Sequence, residues 1–215
     1  MCSNKAPYRT LLRRGEAELI VNRSRFIGWA APARTEEEAL DLIAQARAAF
    51  RDASHHCYAY VVGVNRGIQR YSDAGEPQGT AGLPILDTLL RPDLTNCCAV
   101  VTRYFGGVLL GKGGLVRAYG QCAAAAVAAA SPAEMVPTSR LLVEVDYALH
   151  DRVAHFLAHA PCRLEDQEFG ASVVLTVSVR QADRPGLEAQ MADLTQGRAE
   201  ILLEWEGYDP WQVPG

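Results

Sequence analysis

The order in which the hydrophobic period changes along the last third of the chain constrains its fold more than any other feature. Ser139 to Tyr147 alternates apolar and polar residues, as a strand with one buried face does. From Asp151 to Ala160, Val153, Ala154, Phe156 and Leu157 fall at helical spacing, with Asp151 expected as N-cap and Pro161 as the stop. Cys162–Phe169 and Ser172–Val179 flank Gly170-Ala171 as a β-hairpin. A second helix is predicted over Arg184–Leu194 and a last strand over Ala199–Trp205. The sum is βαββαβ, the split βαβ arrangement of a ferredoxin-like domain, a scaffold that specifies no single function.

Upstream the pattern is less regular but readable. Strands are expected at Tyr8–Arg13 and Glu16–Trp29, the second with Arg23, Ser24 and Arg25 between apolar stretches. Thr35-Glu-Glu-Glu38 reads as a capping box ahead of the stripe Ala39, Leu42, Ile43, Ala46 and Phe50. A strand over Cys57–Val64 with a hairpin partner at Ile68–Tyr71 follows, then a turn-rich loop over Ser72–Gly82. A short helix at Pro84–Leu90, a buried strand at Cys97–Thr102 and an alanine-rich helix at Gly113–Ser131 complete this part. Pro132 and Pro137 bracket the expected linker. The reading is an α+β chain with domains at 1–136 and 137–215.

Charge supports the division. Residues 1–137 carry 15 Lys/Arg against 12 Asp/Glu, whereas residues 138–215 carry 6 against 13. A balance of +3 is too weak a field to define a nucleic-acid binder alone, and the chain as a whole is at −4. No apolar run approaches the ~20 residues that cross a bilayer, and the first ten residues lack the apolar stretch of a signal peptide, so a cytoplasmic protein away from membranes is expected. Six cysteines without a C-x-x-C pair fit that compartment. Cys97 and Cys98 are strand neighbours and should face opposite ways. His155-x-x-x-His159 lacks a zincin glutamate and reads as a solvated helix face, so neither a metal nor a cofactor is expected.

Two segments are too unusual to be connectors. Tyr71 to Gly82 holds three glycines, a proline and the carboxylates of Asp73 and Glu76 in twelve residues. Thr102 to Tyr119 holds five glycines among Arg103, Lys112 and Arg117 at a strand-to-helix junction. Free amides at a helix N-terminus attract anions, and adjacent cations strengthen the attraction, so phosphate is the first ligand to consider. Gly106 to Lys112 fits G-x-x-x-x-G-K, but residue 113 is glycine and offers no hydroxyl for Mg²⁺, which argues against a P-loop nucleotidase. Asp73 and Glu76 either pair for acid–base work or cap the amides of their own loop. Cys57 beside His55 and His56 either is a nucleophile or is simply buried.

His55-His-Cys-Tyr-Ala59, Ser72-Asp-Ala-Gly-Glu-Pro-Gln-Gly-Thr-Ala-Gly-Leu-Pro84 and Val101 to Tyr119 occur in that order and together resemble the IMPACT/YigZ family. The resemblance covers nearly the whole chain. It implies an N-terminal fold like the second domain of a ribosomal small-subunit protein and domain IV of elongation factor G, with a tail like domain V of that factor. One departure is Ala74, where many members carry a second Asp, which removes a carboxylate from any metal site there. Eukaryotic members regulate translation initiation by competing for the activator of a starvation kinase. The RWD domain they use is not read in this sequence, so that role is not expected here.

The leading expectation is a non-enzymatic, translation-associated regulator that binds RNA or the ribosome without DNA sequence specificity. Arg103, Lys112 and Arg117 would contact phosphate, with Gly106, Gly107, Gly113 and Gly114 supplying close backbone approach and Tyr104 and Phe105 available to stack on bases. His55, Asp73, Glu76, Gly79 and Thr80 form a second motif without an assigned role. A protein–protein adaptor and an enzyme acting on a small phosphorylated ligand are the alternatives.

Overall fold

Alternation and capping divide the described residues, 6–211 of a computed structural model, into ten strands and five helices. Cys2, with the ends of the two expected domains at residues 1–5 and 212–215, lies outside the described residues. In chain order these are β1 (Tyr8–Leu11), β2 (Gly15–Val21), β3 (Ser24–Pro32), α1 (Glu36–Ala49), β4 (His55–Val62), β5 (Ile68–Ser72), α2 (Gly82–Leu90), β6 (Cys97–Tyr104) and α3 (Gly111–Ala129). There follow β7 (Pro132–Val145), α4 (Tyr147–Leu157), β8 (Cys162–Phe169), β9 (Val173–Arg180), α5 (Arg184–Thr195) and β10 (Glu200–Trp211). The described residues form two units, Tyr8–Glu134 and Met135–Trp211, the latter joined by residues 6–7.

In the first unit an antiparallel sheet has the order β2-β3-β6-β4-β5. Both faces of its central strands are buried, and neighbouring residues serve different cores. Phe26, Cys57, Ala59, Cys97, Ala99 and Val101 face the cluster shared with α2 and α3. Ile27, Trp29, Tyr60, Cys98 and Val100 face the cluster built on Ala39, Leu42, Ile43 and Ala46 of α1. Cys97 and Cys98 thus point to opposite layers, as their adjacency requires. The capping box of α1 forms with Glu38 N–H on Thr35 Oγ1 at 3.1 Å, while the Glu38 carboxylate accepts from Arg34 N at 2.6 Å.

The second unit has strand order β10-β7-β9-β8, with α4 and α5 supplying Leu149, Val153, Leu157, Leu187 and Met191 to a core with Leu141, Val143, Leu175 and Val177. The βαββαβ order is present.

Three local expectations are corrected. The stretch Glu16–Trp29 is not one strand but the hairpin β2–β3, turned by Asn22 and Arg23 with φ of 46° and 65°, so that Val21 faces Ser24 across a two-residue loop. The fourth helix begins at Tyr147, not Asp151, because Leu149 is already on its buried stripe and Asp151 is exposed mid-helix. The residues between Pro132 and Pro137 are not a linker but the start of β7, which runs without interruption to Val145.

Candidate functional site

Cross-strand register builds the site. On the face of the first sheet that meets α3, Phe26, Arg103 and His55 stand side by side on β3, β6 and β4. This row is where the aliphatic core gives way to polar chemistry. Tyr119 reaches it from α3, and its ring meets Phe26 edge-on at 5.2 Å. The loop between β5 and α2 brings in Glu76.

Glu76 is the hub. One carboxylate oxygen accepts from Arg103 Nη1 at 2.6 Å and from the Tyr119 hydroxyl at 2.7 Å. The Glu76 and Arg103 side chains are only 4% and 5% exposed, so each neutralises a charge that burial would otherwise penalise by several kcal/mol. Arg103 Nη2 donates to Ser24 Oγ at 3.2 Å, and the same oxygen accepts the Gly106 amide at 3.3 Å. His55 Nδ1 donates to the Ala74 carbonyl at 2.9 Å. A carbonyl only accepts, so Nδ1 carries the proton of this bond, and Nε2 lies 4.0 Å from Glu76, beyond hydrogen-bond reach. The Cys57 thiol donates to the Asp73 carbonyl at 2.9 Å.

Asp73 does different work. Its carboxylate accepts the amides of Gly79, Ala81 and Gly82, each at 2.9 Å, and so caps the start of α2. Burial opposes ionisation there, but the three amide bonds outweigh it and hold the carboxyl below its ordinary value. Asp73 and Glu76 therefore do not pair. Thr80 is buried and its hydroxyl is given to the Pro77 carbonyl at 2.6 Å. The second motif is a clasp: Cys57, His55, Arg103 and Tyr119 hold residues 73–76 onto the sheet, and Asp73 folds the rest of the loop. Burial pushes the Cys57 thiol up to about 12, with the Tyr119 hydroxyl relieving only part of that, so Cys57 is a buried thiol rather than a nucleophile.

The glycine-rich residues separate into two groups. Arg103 is committed to Glu76 and Ser24 inside the unit, not presented with Lys112 and Arg117 as a surface trio. Tyr104 lies on the other sheet face and donates its hydroxyl to Asp52 at 2.9 Å. Phe105, in contrast, is 49% exposed, and Val108 and Leu109 are exposed beyond it. Gly106 sits against the turn of β2–β3; a Cβ there would lie 2.1 Å from the Arg23 backbone. Gly107, Gly113 and Lys112 are exposed and Gly114 half-buried at the start of α3, with Arg117 exposed one turn on. That helix start has neither a side-chain cap nor an acidic residue in its first turn. Among the described residues, no three His, Cys, Asp or Glu side chains converge as a metal would require.

Sequence reasoning assigned no role to Tyr119 or Ser24. The signal for Tyr119 was available: a tyrosine on the buried stripe of an alanine helix needs a partner for its hydroxyl.

Comparison with known proteins now places this arrangement. The Impact N-terminal domain matches residues 22–127, which contain the whole clasp and the glycine-rich junction, and a domain of unknown function, DUF1949, matches residues 143–198. The IMPACT family member YvyE of Bacillus subtilis (strain 168) is 34% identical over 194 residues, covering 90% of this chain and 89% of YvyE. The chain belongs to the IMPACT family. YigZ of Escherichia coli (strain K12) is 33% identical over 85% of the chain and 90% of its own length. The IMPACT family member in the pol 5′ region of Thermus thermophilus is 39% identical over 83% and 97%. A crystal structure described as that of a hypothetical protein superimposes with a TM-score of 0.60 at 30% identity, over 92% of this chain and 97% of that one.

Proposed function

We propose that this IMPACT family member is a cytoplasmic, translation-associated regulator that holds RNA, ribosomal RNA in particular, on the surface around the start of α3. The observation that carries the reading is an unshared set of cations at an open helix end. Lys112 and Arg117 are exposed on the first two turns of α3, whose free amides face no carboxylate, and among the described residues neither side chain has a bond within the chain. The Gly106 contact brings the turn carrying exposed Arg23 to the same junction. Lys and Arg would meet phosphates, the amides would add their dipole, and Phe105 would stack on a base. The clasp beneath would keep the platform rigid.

The test is ribosome co-sedimentation over a salt series, comparing wild type with the Arg23→Ala, Lys112→Ala, Arg117→Ala variant. Arg103 is left intact, because removing it would strand Glu76 in the interior and confound binding with folding. Salt-sensitive pelleting that the triple variant loses is the expected result. Absence of pelleting at 50 mM salt, or equal pelleting of the variant, overturns the reading.

A further inference from the structure

A groove between α2 and α3 is left unused by the fold that builds it. It has a volume of about 680 Å³, and every residue lining it belongs to Tyr8–Glu134. On α3 its lining includes Gly120, Ala124 and Ala128, one residue every four over about 12 Å of helix, set among larger side chains such as Val116 and Arg117. Leu83, 44% exposed, and Pro84 form the facing wall on α2.

Gly120 is the informative residue. Glycine inside a helix weakens it relative to alanine, so its presence needs a reason. Gly82, the first residue of α2, has one, since a Cβ there would lie 2.7 Å from the Ser72 backbone carbon. At Gly120 a Cβ would meet nothing nearer than Pro84 Cβ at 4.0 Å. The chain's own packing therefore does not require the gap. The charges around it are unequal. Arg91 and Arg117 stand among the lining against the single carboxylate of Asp87, whose pairing with Arg91 is loose, at 3.7 Å between exposed groups.

We propose that this groove docks an amphipathic helix of a partner protein, which lays large aliphatic side chains over Gly120 and Ala124 and turns carboxylates toward Arg91 and Arg117. A trough between two helices offers no unpaired backbone to an extended strand, whereas a four-residue spacing of small side chains accepts the ridge of another helix. The two guanidinium groups select acidic ends over basic ones. The groove shares Arg117 with the proposed RNA surface at Lys112, but Gly120 and Ala124 play no part in that reading, so variants at these two positions test the groove alone.

The experiment is an anisotropy titration of two labelled 16-residue helical peptides with the full chain. Both carry leucine along one face; one ends in glutamates and the other in lysines. The glutamate peptide should bind, with its lysine counterpart at least tenfold weaker. Gly120→Leu, from a half-buried position, and, as a second variant, Ala124→Leu, from an exposed one, fill the trough and should each weaken binding tenfold or more while the unfolding temperature of Ala124→Leu holds. Arg91→Glu should weaken it several-fold. Equal binding of the two peptides, undiminished binding by both filled variants, or no binding at millimolar protein overturns the proposal. So does a wild-type dimer in sedimentation that Gly120→Leu dissociates, because the occupant is then a second copy of this chain.

Discussion

Two carboxylates three residues apart, Asp73 and Glu76, have opposite fates, and hydrogen-bond partners decide them. Glu76 is held by charge and hydroxyl donors from β6 and α3, Asp73 by three backbone amides. The sequence announced both residues as exceptional, and it contained the option that they cap their own loop, which is the fate of Asp73. It could not announce that Arg103 would be the partner of Glu76, because that contact depends on a register 27 residues away. Side-chain type alone made Arg103 look like Lys112. Burial is what separates them. The amide cap has a pH signature. A carboxyl whose folded pKa is depressed contributes stability that is present above its unfolded value, 3.8, and is lost as pH falls through the lower folded value. Asp73→Asn, which keeps one acceptor and loses the other, should cost about 1–3 kcal/mol at pH 7 in urea unfolding. That gap should narrow as pH is lowered from 4 toward 2.5. A gap that stays constant from pH 7 to 2.5 would show that the charge on Asp73 does not contribute.

Elements were legible where one period ran long enough to be counted. The α1 stripe, the β8–β9 hairpin and the alanine-rich α3 all follow from spacing, and the capping box located the start of α1 within a residue. Misreadings occurred where an element was interrupted by residues of ordinary chemistry. Asn22 and Arg23 turn β2 into β3 without the glycine that announces most two-residue hairpins. Their turn is supported by contact: Gly106 lets the backbone of the β6–α3 loop close on Arg23, a distance no local pattern encodes. Gly106→Ala should therefore act at the level of the element. The added Cβ would fall 2.1 Å from backbone carbon and oxygen, which cannot rotate away as a side chain does. The expected result is a loss of about 2 kcal/mol or more, with faster amide exchange at Val21–Arg25 and Tyr104–Gly106 and little change in β7–β9. Exchange that rises evenly through both units, or not at all, would remove the contact as the support of the hairpin.

At the scale of the whole molecule, net charge and the proposed RNA surface point in different directions. The chain is at −4 with an isoelectric point near 5.7, so its overall field repels polyanions. The division of charge between the two parts was visible in the sequence, but which cations are free was not, since Arg103 counts toward the +3 and is neutralised by Glu76. Contact and field respond differently to salt. A cation touching phosphate displaces condensed counterions, and its removal flattens the plot of log affinity against log salt by about 0.7–1 for single-stranded RNA. A remote carboxylate acts only through the screened field, within a Debye length of about 10 Å at 0.1 M. Lys112→Ala should therefore weaken poly(U) binding and flatten its slope. Neutralising Glu165, Asp166 and Glu168 on β8 with Gln, Asn and Gln should do the reverse, raising affinity at 50 mM salt, steepening the slope slightly and losing all effect above about 0.3 M. The opposite signs separate a phosphate contact from a general electrostatic attraction. An unchanged slope in Lys112→Ala would remove Lys112 from the RNA surface, even if its affinity fell.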